Sequence, residues 1–178
     1  MNVAIFPAKG NSIRIPGKNM KPFLGKPILD YSLETAAASM LFDSIWVSTN
    51  DYAIYCYAES RGYGVIVRPG ELFEQGVPDC GTQEVTRHAI EYLQHRGMDI
   101  DLACCIYPTA PLMTFQDLIQ GQRALMRDPS PPFAYSVGVD GKDAGQWYWG
   151  HAKAFLDREP LVHGVHVVIP PERVCDIN

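Results

Sequence analysis

The residues best suited to chemistry stand close together near the start of the chain: Lys9, Gly10, Asn11, Ser12, Arg14, Gly17, Lys18 and Asn19. Two ammoniums, a guanidinium, a hydroxyl and glycine-loosened backbone N–H groups in one short loop suit an anion, most naturally a polyphosphate. Charge alone would equally describe a solvated basic turn. Two familiar phosphate loops are excluded. A Walker loop ends in Gly-Lys-Ser/Thr, whereas Gly17-Lys18-Asn19 lacks the hydroxyl, and a dinucleotide fingerprint needs GxGxxG opening into a helix, whereas Gly10 and Gly17 are far apart with Pro16 between. The loop is therefore long and extended.

The elements that must position it follow from hydrophobic spacing. Residues 2–7, NVAIFP, read as a buried strand. Residues 22–27 are a turn, and Leu29, Leu33, Ala36, Ala37 and Met40 keep helical spacing over 28–40. A strand over 44–48 leads into Thr49-Asn50-Asp51, which caps a helix stopped by Gly62, and 64–67 is a third strand. Residues 82–96 predict a helix, 101–106 a strand, and Thr114 with Asp117 a capping box for a helix through Met126. Strands are expected at 133–139 and 165–170. Alternation of strand and helix predicts a Rossmann-like three-layer α/β/α fold with a mostly parallel sheet and a ligand at the carboxyl ends of its strands.

Composition bounds the rest. A chain of 178 residues is one domain by default. Its net charge of −5 argues against a nucleic-acid binder and makes the basic loop stand out. No apolar run approaches the roughly 18 residues that span a bilayer, and no signal segment is visible, so a cytoplasmic protein is expected. The five cysteines are odd in number and form no CxxC pair, which disfavours both a disulfide framework and a zinc site.

The stretch PAKGNSIRIPGKN resembles the P-A-R-G-G-S-x-R-I/L-P-x-K-N signature of the cytidylyltransferases that make CMP-activated acidic sugars. Pro7, Ala8, Gly10, Ser12, Arg14, Ile15, Pro16, Lys18 and Asn19 match, while Lys9 replaces Arg and Asn11 and Ile13 also depart. Lys9 keeps the charge without the planar fork. The resemblance implies a nucleotide-diphospho-sugar transferase fold, in which Lys9, Arg14 and Lys18 neutralise the CTP triphosphate while Ala8, Gly10, Asn11, Ser12 and Asn19 contribute to the same cradle. A V-x-R-P-x-E-L-like segment implies Arg68, Asp79 and Gly81 around the cytidine, although Arg68 could equally pair with Glu71. Tyr107–Leu112 resembles Q/Y-P-T-S/A-P-L, which lies under the transferred phosphate and the sugar and implicates Tyr107 and Thr109.

Residues 143–149, DAGQWYW, resemble the motif of the branch that activates pseudaminic acid, implying that Gln146, Tyr148 and Trp149 face the sugar; an aromatic strand packed on the core would use the same residues. Asp143 is the nearest candidate for a general base. The closing VCDIN resembles D-I-D/N-T, implying Asp176 and Asn178 as ligands of Mg²⁺. Resembling enzymes carry a longer insert before the DAGQ motif, an arm that reaches across a homodimer; here only Asp140, Gly141 and Lys142 intervene. The implied reaction joins CMP from CTP to a nine-carbon acidic sugar with release of pyrophosphate, without nucleic-acid or membrane partners. Two alternatives stay open: a nucleotide-binding protein without catalysis, and transfer to an eight-carbon sugar acid.

Overall fold

The computed structural model describes residues 1–12, 14–69, 81–128 and 130–175. In chain order the elements are β1 (Asn2–Pro7), β2 (Pro22–Phe23), β3 (Lys26–Pro27), α1 (Ile28–Ser39), β4 (Ser44–Thr49), α2 (Tyr52–Ser60), β5 (Gly64–Val67) and α3 (Thr82–Gln94). They continue with β6 (Leu102–Ile106), α4 (Phe115–Arg127), β7 (Phe133–Val137), β8 (Asp143–His151), α5 (Ala152–Leu156) and β9 (Val165–Val168). Alternation along β1 shows why the sheet is covered on both faces. Val3 and Ile5 pack with Ile90 and Leu93 of α3, whereas Ala4 and Phe6 pack with Leu33 of α1 and Leu118 of α4.

The main sheet has seven strands in the order β5-β4-β1-β6-β8-β7-β9, and β2 pairs only with β3. Within the main sheet every neighbouring pair is parallel except the two that involve β8, which runs antiparallel to both β6 and β7. This is the expected mostly parallel α/β/α architecture. The chain builds outward from β1 to β4 and β5, then crosses to β6, so the order reverses between β1 and β6. In α/β sheets such a reversal of strand order is where the loops leaving adjacent strands diverge and ligands are usually held.

The DAGQWYW segment is a strand in the middle of the sheet. In β8, Trp147 and Trp149 are fully buried against α4. Trp149 stacks on Phe42 with ring centroids 5.0 Å apart and donates from Nε1 to the Leu118 carbonyl at 3.1 Å. Gly121 of α4 lets the helix approach: a Cβ there would fall 2.4 Å from the Trp147 ring. Trp149 thus packs in the core, on the opposite face from Tyr148, for the elementary reason that strand side chains alternate. No helix among the described residues is long and apolar enough to cross a membrane. Cys104 and Cys105 are buried in β6, and burial pushes the Cys105 thiol up to about 12.

Candidate active site

The first part of the site is the loop after β1. The Ala8 N–H extends the β1 ladder by donating to the Ser48 carbonyl at 2.9 Å. The same carbonyl accepts from Arg68 Nη2 at 2.8 Å and Nε at 3.1 Å, and Ser48 Oγ accepts from Nε at 3.0 Å. Arg68 is buried, so a guanidinium is fixed at the carboxyl end of β4 beside the start of the loop. Gly10 is pressed so closely on Asp51 that a Cβ would sit 2.3 Å from Asp51 Oδ2. Its N–H donates to Asn50 Oδ1 at 3.0 Å. Gly10 therefore serves close approach, and its N–H is engaged within the protein.

Asn19 is buried and donates from Nδ2 to the Lys9 carbonyl at 2.9 Å, clamping the two ends of the loop together. Gly17 makes the turn at φ 63°, and Lys18 opens the short 3-10 turn Lys18–Met20. Ser12 is buried, Lys9 and Lys18 are half-buried, and Asn11 and Arg14 are exposed. The loop is thus a braced strand end that carries three cationic residues, Lys9 and Lys18 half-buried and Arg14 exposed. Asp79, Asp176 and Asn178 lie outside the described residues.

The second part is a cavity of about 480 Å³ on the α3 face of the sheet. Gly81 and Thr82 at the start of α3 form one wall, Tyr107 after β6 and Tyr148 of β8 the floor, and Tyr135 of β7 the far wall. Asp143, Gly141, Leu161 and Val162 rim it. Register explains the convergence: Ile5, Cys105, Tyr148, Tyr135 and His166 pair successively across five strands and so share one face. Tyr148 donates to Asp143 Oδ2, the Gly145 N–H donates to Asp143 Oδ1 at 2.8 Å, and Thr82 Oγ1 shares a hydrogen bond with Tyr107 Oη. Tyr135 Oη shares one with His166 Nε2 at 2.6 Å. Burial raises the pKa of the Tyr148 phenol strongly, with the Tyr107 phenol and Asp143 adding to it, so the group stays a neutral donor. Burial likewise raises that of Tyr107.

Of the residues read from the sequence, Gly81, Tyr107, Asp143 and Tyr148 line this cavity. Thr109 lies in the turn after β6 and is not among the lining residues. Gln146 is buried and donates from Nε2 to the Arg173 carbonyl at 2.6 Å, while its Oε1 has no hydrogen-bond partner among the described residues. Arg173 in turn pairs with Asp117 at 2.8 Å, so Gln146 ties β8 to the segment leading to Asp176. Sequence reading did not single out Thr82, Tyr135, Leu161 or Val162 for the cavity. Alternation in the FAYSV strand was the available signal for Tyr135. Among the described residues no three His, Cys, Asp or Glu side chains come together to hold a metal ion, so the described donor set does not by itself fit one.

The family model described as Cytidylyltransferase matches residues 3–143. The chain belongs to the cytidylyltransferase family. The pseudaminic acid cytidylyltransferase of Campylobacter jejuni is 32% identical, over 99% of this chain and 90% of that one. A Helicobacter pylori protein named for pseudaminic acid cytidylyltransferase and for hydrolysis of a diacetamido-trideoxy UDP-sugar is 28% identical over 98% of this chain and 40% of its own. Among solved structures, a CMP:2-keto-3-deoxy-manno-octonic acid synthetase complexed with CTP superposes with a TM-score of 0.73 at 13% identity, covering 95% of this chain and 90% of that one; it shows the shared fold. The Campylobacter match extends over 213 residues although this cytidylyltransferase has 178, so about 35 residues of the relative have no counterpart here.

Proposed function

We propose that this cytidylyltransferase transfers CMP from CTP to a nonulosonic acid of the sialic or pseudaminic type, releasing pyrophosphate. The likeness to the Campylobacter jejuni pseudaminic acid cytidylyltransferase along 99% of the chain carries this reading. The braced cationic loop at the β1/β6 reversal and the polar, aromatic cavity beside it support it. In the reaction the anomeric oxygen of the sugar bonds to the α-phosphorus, the bond from that phosphorus to the pyrophosphate oxygen breaks, pyrophosphate departs, and the proton of the sugar hydroxyl passes to solvent.

Lys9, Arg14 and Lys18 neutralise the triphosphate and the charge that grows on the leaving pyrophosphate. Fixed cations do this best, because no reorganisation is required of them as the charge develops. Asn19 and Asn50 hold the loop that carries them, and Arg68 adds a buried positive charge beneath it. The cytidine lies towards Arg68, Asp79 and Gly81, and the sugar over Tyr107 and Tyr148. Thr109 and Gln146 support the sugar side, Gln146 through the Arg173 segment. Mg²⁺ on Asp176 and Asn178 belongs to the same proposal and rests on the resemblance of the closing segment; when bound it would supply charge stabilisation to the phosphates.

The test is pyrophosphate release from CTP in the presence of a panel of nonulosonic acids and an eight-carbon sugar acid. Turnover of a nonulosonic acid is expected. CTP binding with no turnover of any sugar would instead make the chain a nucleotide-binding module.

A further inference from the structure

Within the sugar-transfer reading, on which this step rests, we infer that Arg158 and Glu84 are a pair of positioning residues that fix the separation of two sides of the cavity. Arg158 closes α5 in the left-handed region, at φ 58°. The bonds around it are those of a helix-ending turn: the Glu159 N–H donates to the Ala154 carbonyl at 3.0 Å and the Arg158 N–H to the Phe155 carbonyl at 3.2 Å. Glycine is the usual occupant of that position, because a Cβ there crowds the backbone. Among the described residues Leu24 and Met40 also have positive φ, and both stand in solvent, 86% and 89% exposed. Arg158 differs in having a specific partner across the fold: its Nε lies 3.0 Å from Glu84 Oε1 on α3.

That partner is itself held. Glu84 Oε2 accepts from Arg87 Nε at 3.0 Å and from Nη2 at 2.9 Å, so the carboxylate is fixed by its own helix while Oε1 meets Arg158. One residue earlier, Gln83 donates from Nε2 to the Glu159 carbonyl. Two successive residues in the first turn of α3 thus grip two successive residues of the turn after α5. What these turns carry gives the grip its use. Gly81, Thr82 and Gln83 line one side of the cavity, and Leu161 and Val162, one proline beyond Glu159, stand at its rim. Gly81, at the N-cap of α3, has no side chain to hold the first turn, and the two ties hold it from outside. A lone exposed ion pair adds little to stability. Two adjacent ties between a helix start and a turn set a distance instead, and a residue strained for that end serves the site rather than the fold.

The experiment makes Arg158→Gly and Glu84→Ala, singly and together, and assays each with CTP and a nonulosonic acid while following its melting. Glycine suits the left-handed backbone, so the thermal midpoint of Arg158→Gly should equal or exceed that of wild type, while its KM for the sugar rises about five-fold. Glu84→Ala should raise that KM by the same factor. The double variant should do no more than either single one, since the second substitution removes a tie already cut. Throughout, kcat and the KM for CTP should stay within about two-fold. A pair serving stability alone would lower the midpoint of Arg158→Gly and leave the sugar KM where it was. That result, or independent effects of the two substitutions, overturns the positioning role while transfer stands. Failure of wild type to turn over any sugar acid overturns the transfer reading and the positioning role with it.

Discussion

Lys18 and His88 show how one side chain is read in this fold. Lys18 begins the short turn that closes the basic loop, and its proposed role in neutralising phosphate gives a direct expectation. Lys18→Ala should lower the rate of pyrophosphate release about a hundred-fold, the effect of removing one fixed donor of about 3 kcal/mol, with no change in thermal midpoint. Activity within a few-fold of wild type would remove the loop from the mechanism. His88 of α3 carries a different consequence. Its Nδ1 is buried without a hydrogen-bond partner among the described residues, and burial lowers its pKa from 6.5, with Glu91 opposing and Arg87 and Arg68 adding to the depression. A histidine held neutral leaves stability intact above about pH 6.5, and stability is lost as pH falls through the lower folded value, because the unfolded chain takes up the proton first. Melting temperature should therefore drop between pH 7 and pH 5, and His88→Gln should flatten that slope. The cations of the loop were legible in the sequence because lysine and arginine declare themselves by type. The inward use of Gly10 and Asn19 was not, since both depend on which backbone group each meets after folding.

Elements were legible wherever local chemistry was enough to define them. The Thr114–Asp117 capping box reads from spacing and is present, Asp117 Oδ2 accepting from the Thr114 N–H at 2.8 Å and from its hydroxyl at 2.7 Å. Its second oxygen accepts from Arg173, 56 residues away, and no spacing rule reveals that. Asp117→Ala should cost about 2 kcal/mol, combining a lost cap with a lost partner for a half-buried arginine. Chemical denaturation would measure it, and proteolysis near residues 171–173 should quicken in parallel. Helix α4 offers a contest between propensity and packing. Gly121→Ala would gain about 1 kcal/mol in an isolated helix. Against two fully buried tryptophan rings, a methyl 2.4 Å from Trp147 and 2.7 Å from Trp149 has nowhere to go, and overpacking costs about 1–3 kcal/mol. The expected outcome is a lowered urea midpoint; a raised one would mean that the rings yield.

At the scale of the molecule, alternation of strand and helix was enough to foresee a mostly parallel sheet, while the reversed course of β8 was not, because DAGQWYW carries the apolar content of a buried strand without stating its direction. Only residues 138–142 separate β7 from β8, so the arm of resembling enzymes has no room there. We expect a monomer near 19.8 kDa by light scattering, whereas a dimer would require a different surface from that arm. The antiparallel strand has one more consequence, for the order of assembly. A growing chain holds β1, β4, β5 and β6 once it has passed residue 106, and these four can join without anything that follows. Strand β7 cannot: its place beside β6 is filled by β8, so β7 must wait for a segment made after it, and β9 waits for β7. The half that bears the basic loop should thus acquire amide protection early in pulse-labelled refolding, and the half that walls the cavity should acquire it later, when the β7–β8 hairpin docks as a unit. The walls of the cavity would be the last part of the site to form as the chain is synthesised.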